Sequence, residues 1–148
     1  MNYDMKVRLQ ILDKSMIYPG YAHDGDAGLD LRSTIDTVLK PFERKLIPTG
    51  IKIEIPPGYA GFIQPRSGLA IKNGISLVNT PGLIDSNYRG EIKAILINLD
   101  SRESFIIKKN DRICQLVIIK VEHADIIFTK ELEKTERGEN GFGSSGKV

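Results

Sequence analysis

A chain of 148 residues with 41% hydrophobic content holds enough apolar material for one domain (1–148) with a real core, and leaves no room for a second. Its charge is nearly balanced, Lys+Arg 21 against Asp+Glu 19 for a formal net charge of +2, which excludes the broad phosphate-neutralising surface that polymeric nucleic acid demands and leaves a small molecule as the expected anionic partner. No apolar run approaches the roughly 20 residues needed to span a bilayer, the start Met1-Asn2-Tyr3-Asp4 lacks a basic-then-apolar signal, and the lone Cys114 cannot form an internal disulfide, so a cytoplasmic protein with no membrane partner is expected.

Along the chain, apolar residues recur at every second position in Val7-Leu9-Ile11, Ile51-Ile53-Ile55 and Ile92-Ala94-Leu96, the period of a half-buried strand. Further β-rich runs lie at 59–64, 75–79, 104–107, 113–119 and 126–129, separated by turn signals such as Pro56-Pro57-Gly58, Thr80-Pro81-Gly82 and Asn110-Asp111. Many short strands fit between these turns and no long helix does, which predicts an all-β sandwich or barrel. The single helix candidate starts at Ser67 as cap, runs through Leu69-Ala70-Ile71-Lys72 and ends at Asn73-Gly74 in the left-handed conformation. From Arg137 the composition turns to glycine and serine, too polar to offset the entropy of ordering itself, and a mobile end is expected. A frayed terminus is the plain reading of such a tail; Arg137 and Phe142 weigh against it.

Four segments carry chemistry. Asp26-Ala27-Gly28-Leu29-Asp30-Leu31 turns Asp30 away from the face of Leu29 and Leu31, where it can hold a cation, although two carboxylates four apart also serve as ordinary loop solvation. Pro65-Arg66-Ser67-Gly68-Leu69-Ala70 places a guanidinium, a hydroxyl and a glycine at a helix start, where free N–H groups favour an anion; a solvated Arg beside a Ser cap is the alternative. The segment from Asn79 to Glu91 looks like a hairpin bent through Pro81-Gly82, in which Asp85 follows two aliphatics and can act as a general base, Tyr88 offers a flat face and Asn79 an amide; each alone also suits a surface turn. The tail spells Gly141-x-x-x-x-Gly146-Lys147, yet Val148 stands where a P-loop needs Ser or Thr and no helix follows, so only the ability of glycine-rich backbone to wrap an anion remains. His23 and His123 are a hundred residues apart and match no zinc spacing, so both read as incidental.

Taken in order, Ala27-Gly28-Leu29-Asp30-Leu31, Pro65-Arg66-Ser67-Gly68-Leu69-Ala70, Gly82-Leu83-Ile84-Asp85 through Tyr88-Arg89-Gly90-Glu91, Asp111-Arg112-Ile113-Cys114-Gln115-Leu116 and Arg137-Gly138 through Phe142-Gly143-Ser144-Ser145-Gly146 resemble the five motifs of the trimeric dUTP pyrophosphatases. The resemblance implies a jelly-roll-like β-fold with one short helix and a flexible C-terminal arm (132–148), and a homotrimer whose sites are each assembled from three chains. It implies that Asp85 activates the water that attacks the α-phosphorus of dUTP and that Asp30 helps place Mg²⁺ through bound water. Arg66, Ser67, Gly68 and Gln115 would bind phosphate oxygens, Asn79 would read uracil, and Tyr88 would pack beneath deoxyribose. Phe142 would stack on uracil, with Arg137, Gly143, Ser144 and Ser145 closing over the polyphosphate. The chain departs from the family pattern at Asn110, where glycine is usual, at Cys114 for alanine, at Asn140 for glycine and at Ser145 for threonine. Two other readings compete: a dCTP deaminase of the related fold, and a nucleotide-binding module without turnover.

Overall fold

The computed structural model describes residues 5–139, which form ten strands and one short helix. In chain order these are β1 (Arg8–Ile11), β2 (Leu29–Arg32), β3 (Thr37–Leu39), β4 (Arg44–Glu54), β5 (Tyr59–Gln64), α1 (Ser67–Asn73), β6 (Ile75–Leu77), β7 (Gly82–Ile84), β8 (Glu91–Asn98), β9 (Phe105–Ile107) and β10 (Arg112–Lys120). Two four-stranded sheets, ordered β1-β4-β8-β6 and β2-β10-β5-β7, and a two-stranded ribbon β3-β9 pair antiparallel throughout. The sheets do not close into a barrel. The fold is the jelly roll of the family that the motifs resemble.

Alternation explains the core. In β4 and β8, Ile47, Ile51, Ile53, Ile92, Ala94 and Leu96 point inward. They meet Leu31, Ile63, Cys114 and Leu116 of the facing sheet in one hydrophobic cluster. Each fully buried Ile or Leu contributes about 1.5–3 kcal/mol relative to exposure. Asn98, wholly buried at the end of β8, ties the ribbon to the sandwich: its Nδ2 donates to the carbonyls of Leu39 (3.0 Å) and Glu103 (2.8 Å), and its Oδ1 accepts the Asp100 N–H at 2.9 Å. Such a buried amide stays inside only because its polar atoms are satisfied.

Two local expectations are corrected. Residues 126–129 form no strand; Ile126, Ile127 and Phe128 are 68%, 82% and 93% exposed, because the run finds no strand edge to pair with among the described residues of its own chain. Ser67 is the first residue of α1 and not its cap; Arg66 occupies the cap position in extended conformation with no side-chain bond to the helix. The other end of α1 matches expectation, since Gly74 closes it at φ 65 and returns its N–H to Ala70. Asn110 adopts φ 72, the left-handed conformation in which asparagine substitutes for glycine. Its side-chain Oδ1 accepts the Ile17 N–H at 2.9 Å, a staple that glycine could not supply.

Candidate active site

On the outer face of the second sheet, the register aligns Asp30 of β2 opposite Gln115 of β10, and Gln115 opposite Gln64 of β5. The chain leaves β5 through Pro65 directly into Arg66, so the acid, the amide and the guanidinium of three sequence-distant segments converge. Arg66 Nε lies 3.2 Å from Asp30 Oδ1, and Arg112 Nη1 lies 3.0 Å from Asp30 Oδ2. Gln115 Nε2 donates to the Pro65 carbonyl at 3.1 Å. Gly28 makes room for this amide, because a Cβ at residue 28 would land on Gln115 Oε1. The resulting cleft, about 410 Å³, is lined by Asp30, Arg66, Ser67, Gly68, Arg112 and Gln115, with His23, Asp26 and Gly28 among its other walls. His23, incidental on sequence grounds, thus lines a cleft walled by two arginines and two aspartates.

Asp85, Tyr88 and the aliphatics before them line a different cleft, of about 480 Å³, with Leu46, Glu91 and Lys93. No described residue lines both. Tyr88 lies over Gly90, where any side chain would strike its ring, and its hydroxyl donates to the Glu91 carbonyl at 3.1 Å. Asp85 follows β7 and is exposed, and its carboxylate makes no hydrogen bond to another described residue. Asn79 is exposed at the root of this hairpin, its Nδ2 3.3 Å from the point a Gly82 Cβ would occupy.

The register gives the spacing between these halves. Strands β2 and β7 are the two edges of one sheet, three strand-to-strand steps apart, or about 14 Å. Ile84 faces Gly61 and Asp30 is level with Gln64, so Asp85 falls four residues along the strands from Asp30, or about 13 Å. One chain therefore does not bring the Asp85 carboxylate to its own Arg66 cleft.

Arg137 is exposed beyond the last strand, next to a turn in which the Gly138 N–H donates to the Thr135 carbonyl at 3.1 Å. Phe142, Gly143, Ser144 and Ser145 lie outside the described residues. Cys114 is buried, and burial, reinforced by the charge of Asp30 and opposed by Arg66, pushes its thiol up to about 12, so it supplies no thiolate. Among the described residues no group of three or more His, Cys, Asp or Glu could hold a metal ion. Both Asp30 oxygens are engaged by guanidinium, yet each keeps a lone pair, so this carboxylate suits a metal-bound water better than direct coordination.

Sequence reasoning missed Arg112. Strict alternation along β10 puts residue 112 on the face opposite Gln115, but a bulge between Arg112 and Cys114 turns both Ile113 and Cys114 inward and returns Arg112 to the Asp30 side.

Known proteins carry the same signature. The dUTPase family model matches residues 14–146. The deoxyuridine 5'-triphosphate nucleotidohydrolase of Clostridium kluyveri is 54% identical over 144 residues, covering 97% of this chain and all of the relative. That of Nautilia profundicola is 54% identical over 143 residues with the same coverage of 97% and 100%. A solved structure of the Staphylococcus bacteriophage 80alpha dUTPase with dUPNHPP superposes with a TM-score of 0.86 at 31% identity, over 95% of this chain and 98% of that one. A match that spans both clefts and nearly the whole length leaves one assignment: the chain belongs to the dUTPase family, the dUTP diphosphatases.

Proposed function

We propose that the chain hydrolyses dUTP to dUMP and pyrophosphate at sites assembled between the identical subunits of a homotrimer. Supporting this is the separation of the two clefts: the half with anion-binding groups and the half with the exposed carboxylate are too far apart in one chain to act on one phosphorus. A neighbouring copy supplies the missing half, as closed symmetry allows.

In this reading the Asp85 carboxylate of one subunit takes a proton from a water aligned with the α-phosphorus. The water oxygen bonds to that phosphorus, the bond to the α,β-bridging oxygen breaks, and pyrophosphate leaves. Such displacement depends on positioning and charge neutralisation more than on a strong nucleophile. Arg66, Ser67, Gly68 and Gln115 of another subunit hold phosphate oxygens. Asn79 and the hairpin backbone read the uracil edge, while Tyr88 packs beneath deoxyribose and collides with a 2′-hydroxyl. Close packing at C5 rejects a thymine methyl; a hydrophobic pocket discriminates one methyl by about 1–3 kcal/mol and a steric clash by more. Mg²⁺, when bound, neutralises polyphosphate charge, and Asp30 would hold it through a metal-bound water. The third subunit's arm, residues 132–148, closes over the site with Phe142 on uracil and Arg137, Gly143, Ser144 and Ser145 along the polyphosphate, which excludes bulk water. The consequence is removal of dUTP before uracil enters DNA, and a supply of dUMP for dTMP synthesis.

Pyrophosphate release from dUTP, dTTP, dCTP and UTP, each with and without Mg²⁺, tests the chemistry. Fast, Mg²⁺-dependent turnover of dUTP alone is expected, and equal rates on all four refute the reading. Sharing is tested by co-refolding two inactive variants, Arg66→Ala and Asp85→Ala, in equal amounts. With the two halves on different chains, about one site in four regains both side chains by random assortment. Recovery near zero refutes shared sites.

A further inference from the structure

We propose that Arg112 is a positioning residue of the phosphate-binding half-site, which clamps Asp30 with its side chain and Arg66 with its main chain; this rests on the reading of that cleft as the polyphosphate site. Three contacts close a triangle. Arg66 Nε meets Asp30 Oδ1 at 3.2 Å, Arg112 Nη1 meets Asp30 Oδ2 at 3.0 Å, and Arg66 Nη1 donates to the Arg112 carbonyl at 3.2 Å. Arg66 is therefore held at two of its nitrogens by groups that Arg112 itself supplies or anchors, and Nη2 has no partner among the described residues. A guanidinium held at two of its three nitrogens meets a phosphate with its remaining donor already aligned, and so loses little rotamer freedom on binding.

The bulge at the start of β10 makes this possible, because without it the Arg112 side chain would point towards the core. The charges favour it as well. The Asp30 side chain is only 15% exposed, and a carboxylate so covered is best held by two cations. Replacing the Arg112 side chain leaves Asp30 with one partner and loosens Asp30 and, through it, the Nε end of Arg66, while the residue-112 carbonyl still accepts from Arg66 Nη1.

The test measures affinity for two ligands, dUMP and the imido analogue of dUTP in which nitrogen replaces the α,β-bridging oxygen, in wild type, Arg112→Gln and Arg112→Lys. Arg112→Gln should weaken the analogue tenfold or more, leave dUMP within about twofold, and lower kcat on dUTP. Arg112→Lys, which keeps a charge near Oδ2 without the planar fork, should recover part of the loss and keeps the test valid if the Gln variant melts early. Asp30→Asn should cost less in the Arg112→Gln background than in wild type, since the two act as a unit. Equal weakening of both ligands, or additive effects of the two substitutions, overturns the proposal. A wild type that releases no pyrophosphate from dUTP instead overturns the reading of the cleft, so the two failures are distinguishable.

Discussion

Replacing Gly28 by alanine tests whether the Gln115 amide is held where a phosphate would meet it. Gly28 lies outside the left-handed region, so alanine meets no backbone penalty there and its effect is steric. The new Cβ would fall on Gln115 Oε1, 3.1 Å from Cδ and 3.3 Å from Cβ of the same side chain. The amide can swing, but Gln115 Cβ is fixed by a strand paired on both sides, to Asp30 and to Gln64. Swinging breaks the 3.1 Å bond to the Pro65 carbonyl. That bond contributes about 1 kcal/mol net, and a displaced rotamer costs about 0.5–1.5 kcal/mol more. A loss of about 1.5–2.5 kcal/mol lowers Tm by about 4–8 °C for a chain of this size. A hydrogen bond to a charged phosphate is worth about 1.5–3 kcal/mol, so kcat/KM on dUTP should fall about 10–100-fold. The assay pairs a thermal melt at fixed protein concentration with pyrophosphate release. Gly20→Ala is the control, since a Cβ there meets nothing within 4 Å. A Gly28→Ala variant with wild-type Tm and wild-type kcat/KM would refute the reasoning.

Four further outcomes are expected. Asp85→Ala should bind the imido analogue of dUTP within a few-fold of wild type while turnover falls by about 10²–10⁴; parallel loss of binding and turnover would make Asp85 a binding group rather than a base. A chain truncated after residue 136 should keep a cooperative melt, because among the described residues the core cluster draws none beyond Ile118, and should lose most turnover; full activity would refute a closing arm. Native Cys114 should resist a maleimide and react once urea opens the core, since its thiol is both buried and held protonated; rapid native labelling would contradict that burial. The Lys109 ammonium, 2.7 Å away, and Ser15 hold the Asp13 carboxyl below its ordinary value. This contribution is complete above the unfolded value of about 3.9 and is lost as pH falls towards the folded one. Lys109→Ala should therefore flatten the acid side of a Tm-against-pH curve, and an unchanged acid limb would show that the pair carries no linkage.

What was legible in the sequence was whatever a buried face writes at period two. Val7-Leu9-Ile11, Ile51-Ile53-Ile55 and Ile92-Ala94-Leu96 sit within or beside strands because one side of each packs on the core. Strand β3 escaped notice although β6 and β9, equally short, did not, and the first half of β4 escaped because Arg44 and Lys45 mask it. The bulge in β10 defeats alternation outright, so alternation could not have placed Arg112 beside Asp30, while Gln115, three residues on, had its role only from the motif resemblance. The 126–129 run fails in a more informative way. Its composition suits a strand, yet a strand needs an edge, and the chain's own sheets leave these residues exposed.

The same limit governs the site. Motifs name side chains, but they do not say which copy of the chain each belongs to. Asp30, Arg66 and Gln115 are grouped by register, and register also sets Asp85 at the far edge of the same sheet. If Asp85 is the base and the Arg66 cleft the anion clamp, as proposed, their places on opposite edges of one sheet let both act on one substrate only by borrowing from another copy. In the proposed reading, the need for a second copy is thus a consequence of strand order in a single subunit, and a strand order that placed β7 beside β2 would have removed it.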